Sequence, residues 1–353
     1  MSESNILLET WSPVCDIQAF VEETDQNCYF YLWFYPNSER AYMRECWICN
    51  TAPAGDEIDR KAMEDGRAPS MPSEYVAHDP SGIHLNKDSL EIVWLEEGDG
   101  AALLSDGRLI CLIPGWAGYN DFCGYSIYAK GTGPFAWGLK QTLETLEARV
   151  AKSIKFWDFF EKDYWGQVQE MHLEILEEFF GPHQKYYGID GKKFPPRALV
   201  TGEKDGICYG ITAGVSMVPL PKIEQYYQKE TEKFRRIELG FASSGCGAEE
   251  QMRMYSFLSS LASYPWREIT WLGHGHTVPC KALEGYSAVW LLNSRLIPEI
   301  SAPVYKNFME EPVNLLWAVP LREDQYQRLV EQGTEETLKL LTDELPAIHI
   351  FRR

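Results

Sequence analysis

The chain has 353 residues and a formal net charge of −19, with 45% hydrophobic and 13% aromatic residues, 12 of them Trp. That length exceeds what one hydrophobic core ordinarily serves, which predicts two domains, and the apolar content excludes a disordered chain. Residues 1–150 hold 10 Lys and Arg against 24 Asp and Glu, the remainder 23 against 28, so the first half repels nucleic acid and steers a basic protein toward itself; an acidic surface kept for solubility accounts for the same charge.

Met1 to Asn5 shows neither the basic segment nor the apolar stretch of a signal peptide, and no apolar run approaches the roughly 20 residues that span a bilayer. Nine cysteines, an odd number at irregular spacing, suit reduced thiols better than a disulfide framework. The expectation is a cytoplasmic protein without a membrane partner.

Residues 1–137 read as a β-rich acidic domain. The segments 28–35 (CYFYLWFY), 91–95 (EIVWL) and 109–114 (LICLIP) are aromatic and β-branched runs of strand length. Between them, residues 52–73 carry Pro53, Gly55, Gly66, Pro69 and Pro72, which predicts a long surface loop with room for one short helical turn. Residues 116–137 interleave glycines with Trp116, Tyr119, Phe122 and Tyr125. Rings over permissive backbone make these four candidate partner-binding residues, and a loop packed onto the core by the same rings is the competing reading.

At Leu139 the period changes. Leu139, Leu143, Leu146, Val150, Ile154, Trp157 and Phe160 recur at helical spacing and predict a helix over 138–162. A second pattern runs over 165–180 and stops at Gly181-Pro182. The two form an expected helical connection, 138–180, to a third segment, 181–353.

In that segment strands are predicted at 197–200, 208–212, 236–242, 268–272 and 313–320, and helices at 250–263 and 323–341. The alternation is too irregular for a doubly wound sheet, so the fold class is α+β.

Four motifs give the second half a resemblance. Thr212-Ala213-Gly214-Val215-Ser216 is a strand-ending turn of the type T-x-G-[ML]-S, and Arg236-Ile237-Glu238-Leu239 follows as R-x-E-L. Leu261-Ala262-Ser263-Tyr264-Pro265 leads into WLGHGHTVP at 271–279. LLWAVPL at 315–321 precedes Glu323-Asp324, Gly333 and the leucines of 338–341. In order and spacing over residues ~180–345 these resemble the suppressor-of-fused domain. The family is known from a negative regulator of Hedgehog signalling in animals and from many bacterial proteins.

The resemblance is closer to the bacterial form, since the animal protein's additional C-terminal region has no counterpart here. It implies a non-enzymatic, mixed α/β domain that binds another protein. Animal members bind a transcription factor, and bacterial members are commonly inferred to be immunity proteins that neutralise a toxin domain. A basic toxin domain is therefore the expected partner, with Trp271, His274 and His276 added to the candidate contact residues. Residues 1–137 share only general character with long bacterial members, so no function transfers to them.

Other constellations point to chemistry more weakly. His274 and His276, two apart on a predicted strand, would share a face and could begin a metal site, making a metal-dependent hydrolase the alternative reading. No other histidine has a motif to recommend it as a further ligand, and a turn histidine bonded to backbone is the simpler account. Cys46-Trp47-Ile48-Cys49 supplies half a zinc site, which Cys15 or Cys28 could in principle complete, and buried strand cysteines are the favoured reading. The acidic pairs Glu22-Glu23, Glu96-Glu97 and Glu310-Glu311 do not converge, because neighbours in a strand or helix point apart. There is no phosphate loop, nucleophile elbow or dinucleotide fingerprint, and nothing points to a cofactor.

Overall fold

The computed structural model describes residues 4–353. Met1, Ser2 and Glu3, which carry part of the signal-peptide reading, lie outside the described residues. The fold is α+β with a β-rich N-terminal region, as the sequence predicts. Two compact units divide the chain, Met1–Lys162 and Asp163–Arg353, so the helices expected as a connection fall one in each unit.

In the first unit β1 (Asn5–Trp11), β2 (Ile17–Glu23), β3 (Asn27–Phe34) and β4 (Tyr42–Asn50) form an antiparallel meander. Strict alternation makes the sheet two-faced: Ile17, Ala19 and Val21 of β2 are fully buried, while Gln18, Phe20 and Glu22 point the other way. After α1 (Arg60–Glu64), a second sheet holds β5 (Leu90–Trp94), β6 (Ala101–Ser105), β7 (Arg108–Ile113), β8 (Tyr125–Ser126) and β9 (Trp137–Gly138). The sheets close on each other at Gly124, where a Cβ would lie 2.7 Å from the Leu112 carbonyl oxygen and 2.8 Å from Cys46 Sγ. The far face of the second sheet is covered by α2 (Leu143–Phe160): its Leu143, Leu146 and Val150 pack on Val93, Ala102, Leu104 and Leu112. Helical periodicity thus reported the first half of the stripe, but Ile154 is 37% exposed and Phe156, outside the expected set, is buried in its place.

The 52–73 segment contains the single helical turn expected of it, α1, but its end is not free. The Asn50 amide donates to the Met71 carbonyl (2.9 Å) while its oxygen accepts from Met71 N–H (2.9 Å), and Tyr29 Oη donates to the Pro69 carbonyl (2.7 Å). Both anchors are buried side chains, so the loop is fastened where an unpaired polar group would be costly.

The second unit begins with α3 (Trp165–Phe180), then β10 (Lys185–Gly188), β11 (Ala198–Lys204), β12 (Ile207–Ala213), α4 (Glu224–Tyr227), α5 (Thr231–Phe234) and β13 (Ile237–Ser244). It continues through α6 (Ala248–Leu261), α7 (Tyr264–Arg267), β14 (Thr277–Pro279), β15 (Ala288–Asn293), β16 (Asn314–Leu321), α8 (Glu323–Gln332), α9 (Thr334–Leu340) and β17 (Ile350–Arg352). The sheet runs β10-β11-β12-β13-β16-β15-β14. β13 is parallel to β16 and, at its far end, to β17, and the other pairs are antiparallel.

Both faces of this sheet are covered. Tyr209 and Ile211 belong to the core that includes Leu176 of α3 and Trp290, Trp317 and Leu329. Between them Gly210 lies against the Tyr255 ring of α6, whose hydroxyl donates to the Tyr209 carbonyl (3.0 Å). Burial on two sides is why β15 and β16 read as nearly continuous apolar runs.

The strand expected at 268–272 is absent. Pro265 sits in the first turn of α7, Ile269 has φ +45°, and the chain turns at His274-Gly275 before the strand begins at Thr277. A β-branched residue in the left-handed region cannot continue a strand.

Candidate surface for protein binding

The residues that carry the sequence resemblance converge in the interior. Glu238 of β13, fully buried, accepts hydrogen bonds from Thr212 Oγ1 (2.6 Å), Gly214 N–H (3.0 Å), Ser216 N–H (3.0 Å) and Ser216 Oγ (2.7 Å). His172 Nε2 of α3 meets the same carboxylate at 3.2 Å, and its Nδ1 bonds to the Val168 carbonyl (2.9 Å). Burial alone would lower the His172 pKa, but Glu238 outweighs it and the pKa is raised. Arg236 donates to the Ser216 and Met217 carbonyls (3.0 and 2.7 Å) and to Glu311 (2.8 Å), which also pairs with Arg235 (2.5 Å).

His172, Ser216 and Glu238 have the residue types of a nucleophile–base–acid set. All three are fully buried and the Ser216 hydroxyl donates to the carboxylate, so the set fastens α3 and β13 to the turn that follows β12.

At the surface of the same unit, Trp271 is half-buried and sits among rings: Tyr226 at 4.8 Å between centroids, Tyr227 at 5.4 Å and His276 at 4.1 Å. Trp271, Tyr226 and His276, with Tyr264, Thr270 and Val278, border a depression of about 330 Å³ in which no lining residue is acidic, Lys or Arg. His276 is held below its ordinary pKa by burial and by its neighbour His274. Two residues close in the chain to this ring cluster have strained backbone: Gln228 and Ile269 have φ of +41° and +45°.

His274 and His276 do not share a strand face. They flank a turn at Gly275, φ +83°, where a Cβ would meet Thr334 Oγ1 at 2.6 Å. His274 Nδ1 accepts the Asn293 N–H (3.2 Å), whereas the His276 ring lies on Trp271. The two imidazoles are thus committed to different partners, and among the described residues no group of three or more His, Cys, Asp or Glu is arranged to hold a metal ion.

In the first unit Trp116, Phe122 and Tyr125 do come together, but Phe122 is their buried centre at 1% exposure. Trp116 stacks on it at 4.4 Å, and Tyr125 and Trp137 meet it edge-on at 4.9 and 4.8 Å. Phe122 is therefore corrected from a contact residue to a support. Tyr119, 67% exposed on the left-handed turn of Gly118, Asn120 and Asp121, is the ring of this loop that faces solvent most. Cys46 and Cys49 are buried in β4, with Cys49 directly across from Cys28 of β3. Burial is the first cause that raises the Cys46 thiol pKa, which opposes a reactive thiolate.

Sequence reasoning missed Tyr226 and Tyr227. They lie in a short charged helix with no apolar period, and they reach Trp271 only through the tertiary fold. An adjacent aromatic pair in so polar a segment was the available signal.

No helix among the described residues is long and apolar enough to cross a membrane. No curated protein matches the chain. A crystal structure of a suppressor-of-fused homolog from Neisseria gonorrhoeae is similar at 14% identity and a TM-score of 0.34, over 52% of this chain and 93% of that one. The family model of the suppressor of fused protein matches residues 189–353. That span includes Thr212, Ser216, Arg236, Glu238 and the 271–279 turn, so this chain carries a suppressor-of-fused domain, a module that mediates protein–protein interaction.

Proposed function

We propose that the chain is a non-catalytic binding protein that sequesters a protein partner in the manner of an immunity protein, with the Trp271 depression as a principal contact. The observation that carries this reading is an uncharged aromatic depression on a chain of net charge −19. Interface centres are depleted in charge and rich in Trp and Tyr. Ile269 and Gln228, both at positive φ close to the rings in the chain, mark a backbone that its surroundings fix before a partner arrives. The acidic first half supports a basic partner, such as a toxin domain, whose approach it would accelerate.

The test is affinity purification of the tagged full chain from its native host, with mass spectrometry and a binding titration of the protein recovered. A stoichiometric partner whose affinity falls by about tenfold or more with Trp271→Ala is the expected result. Inhibition of that partner's toxic activity by the wild-type chain supports the immunity role. Equal affinity of wild type and Trp271→Ala would remove the depression from the reading, and a partner left fully active would remove immunity.

A further inference from the structure

We propose that the outward face of the β1–β4 sheet docks an arginine- or lysine-rich segment of a protein partner. This rests on the reading that the chain binds a protein, and it concerns a surface other than the Trp271 depression.

The strand register builds the surface. Trp11 pairs with Gln18, Gln18 with Trp33 and Trp33 with Met43, so these four side chains form one row across all four strands. The next row on the same face is Glu9, Phe20, Tyr31 and Glu45. Side chains directly opposite in adjacent strands lie about 5 Å apart. Trp11 and Met43 are 49% and 51% exposed, Phe20 and Trp33 are half-buried, and Phe20 stacks on Tyr31 at 4.9 Å.

The carboxylates are set among the rings. Burial and then the charges of Glu22 and Glu45 raise the Tyr31 phenol above its ordinary range, which puts both carboxylates close to that ring. Neither row contains Lys or Arg. A row that exposes half of Trp11 and Met43 beside a partly exposed Trp33 is not what a merely solvated sheet face carries.

Charge selects the occupant. A guanidinium or ammonium can lie over the electron-rich faces of Trp11 and Trp33 while Glu9, Glu22 or Glu45 pairs with it. An acidic segment meets repulsion from the same three carboxylates, and an apolar one must strip their water without compensation.

The test uses the full chain and a fluorescein-labelled oligoarginine peptide, followed by anisotropy at low and moderate salt. Trp11→Ala with Trp33→Ala leaves the net charge unchanged and is expected to weaken binding about fivefold or more, the loss of two partly exposed cation–π contacts. Neutralising Glu57, Glu64 and Glu74, exposed carboxylates elsewhere in the unit, is expected to change binding by less than about twofold, a general charge effect. A smaller loss in the tryptophan variant, or an equal loss in the glutamate control, overturns the proposal. Should the double variant lose its circular dichroism signature, Trp11→Ala alone, at the exposed end of the row, is held to a loss of about twofold or more. Trp271→Ala is expected to leave oligoarginine binding intact. The two readings therefore fail separately, one on the recovered partner and the other on the peptide.

Discussion

The Ser216 hydroxyl donates a 2.7 Å hydrogen bond to Glu238 at the centre of the suppressor-of-fused domain, both residues fully shielded from water. Two sequence motifs 22 residues apart are thereby one structural device: a turn that supplies donors and a strand that supplies the acceptor. Removing the acceptor should be far more costly than removing one donor. Glu238→Gln is expected to destabilise the second unit by about 3–5 kcal/mol, as for a broken buried pair, and Ser216→Ala by about 1–2 kcal/mol. Urea unfolding of the full chain, read by tryptophan fluorescence, separates the two.

His172 owes its raised pKa to Glu238. A folded-state pKa above the unfolded value contributes stability that is fully present below the ordinary imidazole pKa and is lost as pH rises through the folded one. Imidazole NMR should therefore show His172 still protonated at pH values where free histidine is neutral. In Glu238→Gln the order should reverse, with burial pushing the pKa below its ordinary value; an unchanged titration would contradict the assignment.

His349 has the opposite sign. Burial beside Trp317 lowers its pKa from 6.5 to about 4, so it folds as the neutral ring. The unfolded chain binds the proton more readily, and the stability His349 contributes is lost as pH falls from 6.5 towards 4. His349→Phe should flatten the acid side of the stability profile over that window, measured by denaturant midpoints at successive pH values.

Gly275→Ala should cost about 1–2 kcal/mol, because the residue sits at positive φ against Thr334. Since the turn sets the direction of His276 beneath Trp271, the variant should also weaken the partner recovered with the wild-type chain. Retained affinity in a destabilised Gly275→Ala would separate the turn from the binding surface.

The expected third segment, 181–353, is proposed to be too short to fold alone. It omits His172 of the Glu238 network and Leu176 of the apolar core, both fully buried. A fragment spanning 163–353 should unfold cooperatively, and one spanning 181–353 should not. Circular dichroism and heat denaturation of the two fragments decide this.

Much of the architecture was readable locally. The boundaries of α3 and the Leu143, Leu146 and Val150 contacts of α2 follow from helical period and a Gly-Pro stop, and the β-rich character of the first unit from its aromatic runs. The family emerged from motif order, because buried hydrogen-bonding residues such as Thr212, Ser216 and Glu238 must keep their spacing to meet. The sequence also determined the charge imbalance and the residue types available to a surface. Only the tertiary structure decided which residues form one. Tyr226 and Trp271 are joined by a contact between distant segments, and Phe122 sits in the centre of its ring cluster, where periodicity carries no information. Trp11 and Trp33 share a face through strand register, which is set by pairing across the sheet and not by any one strand. Local pattern fixes elements because its interactions are short-range; surfaces arise where the chain returns to itself.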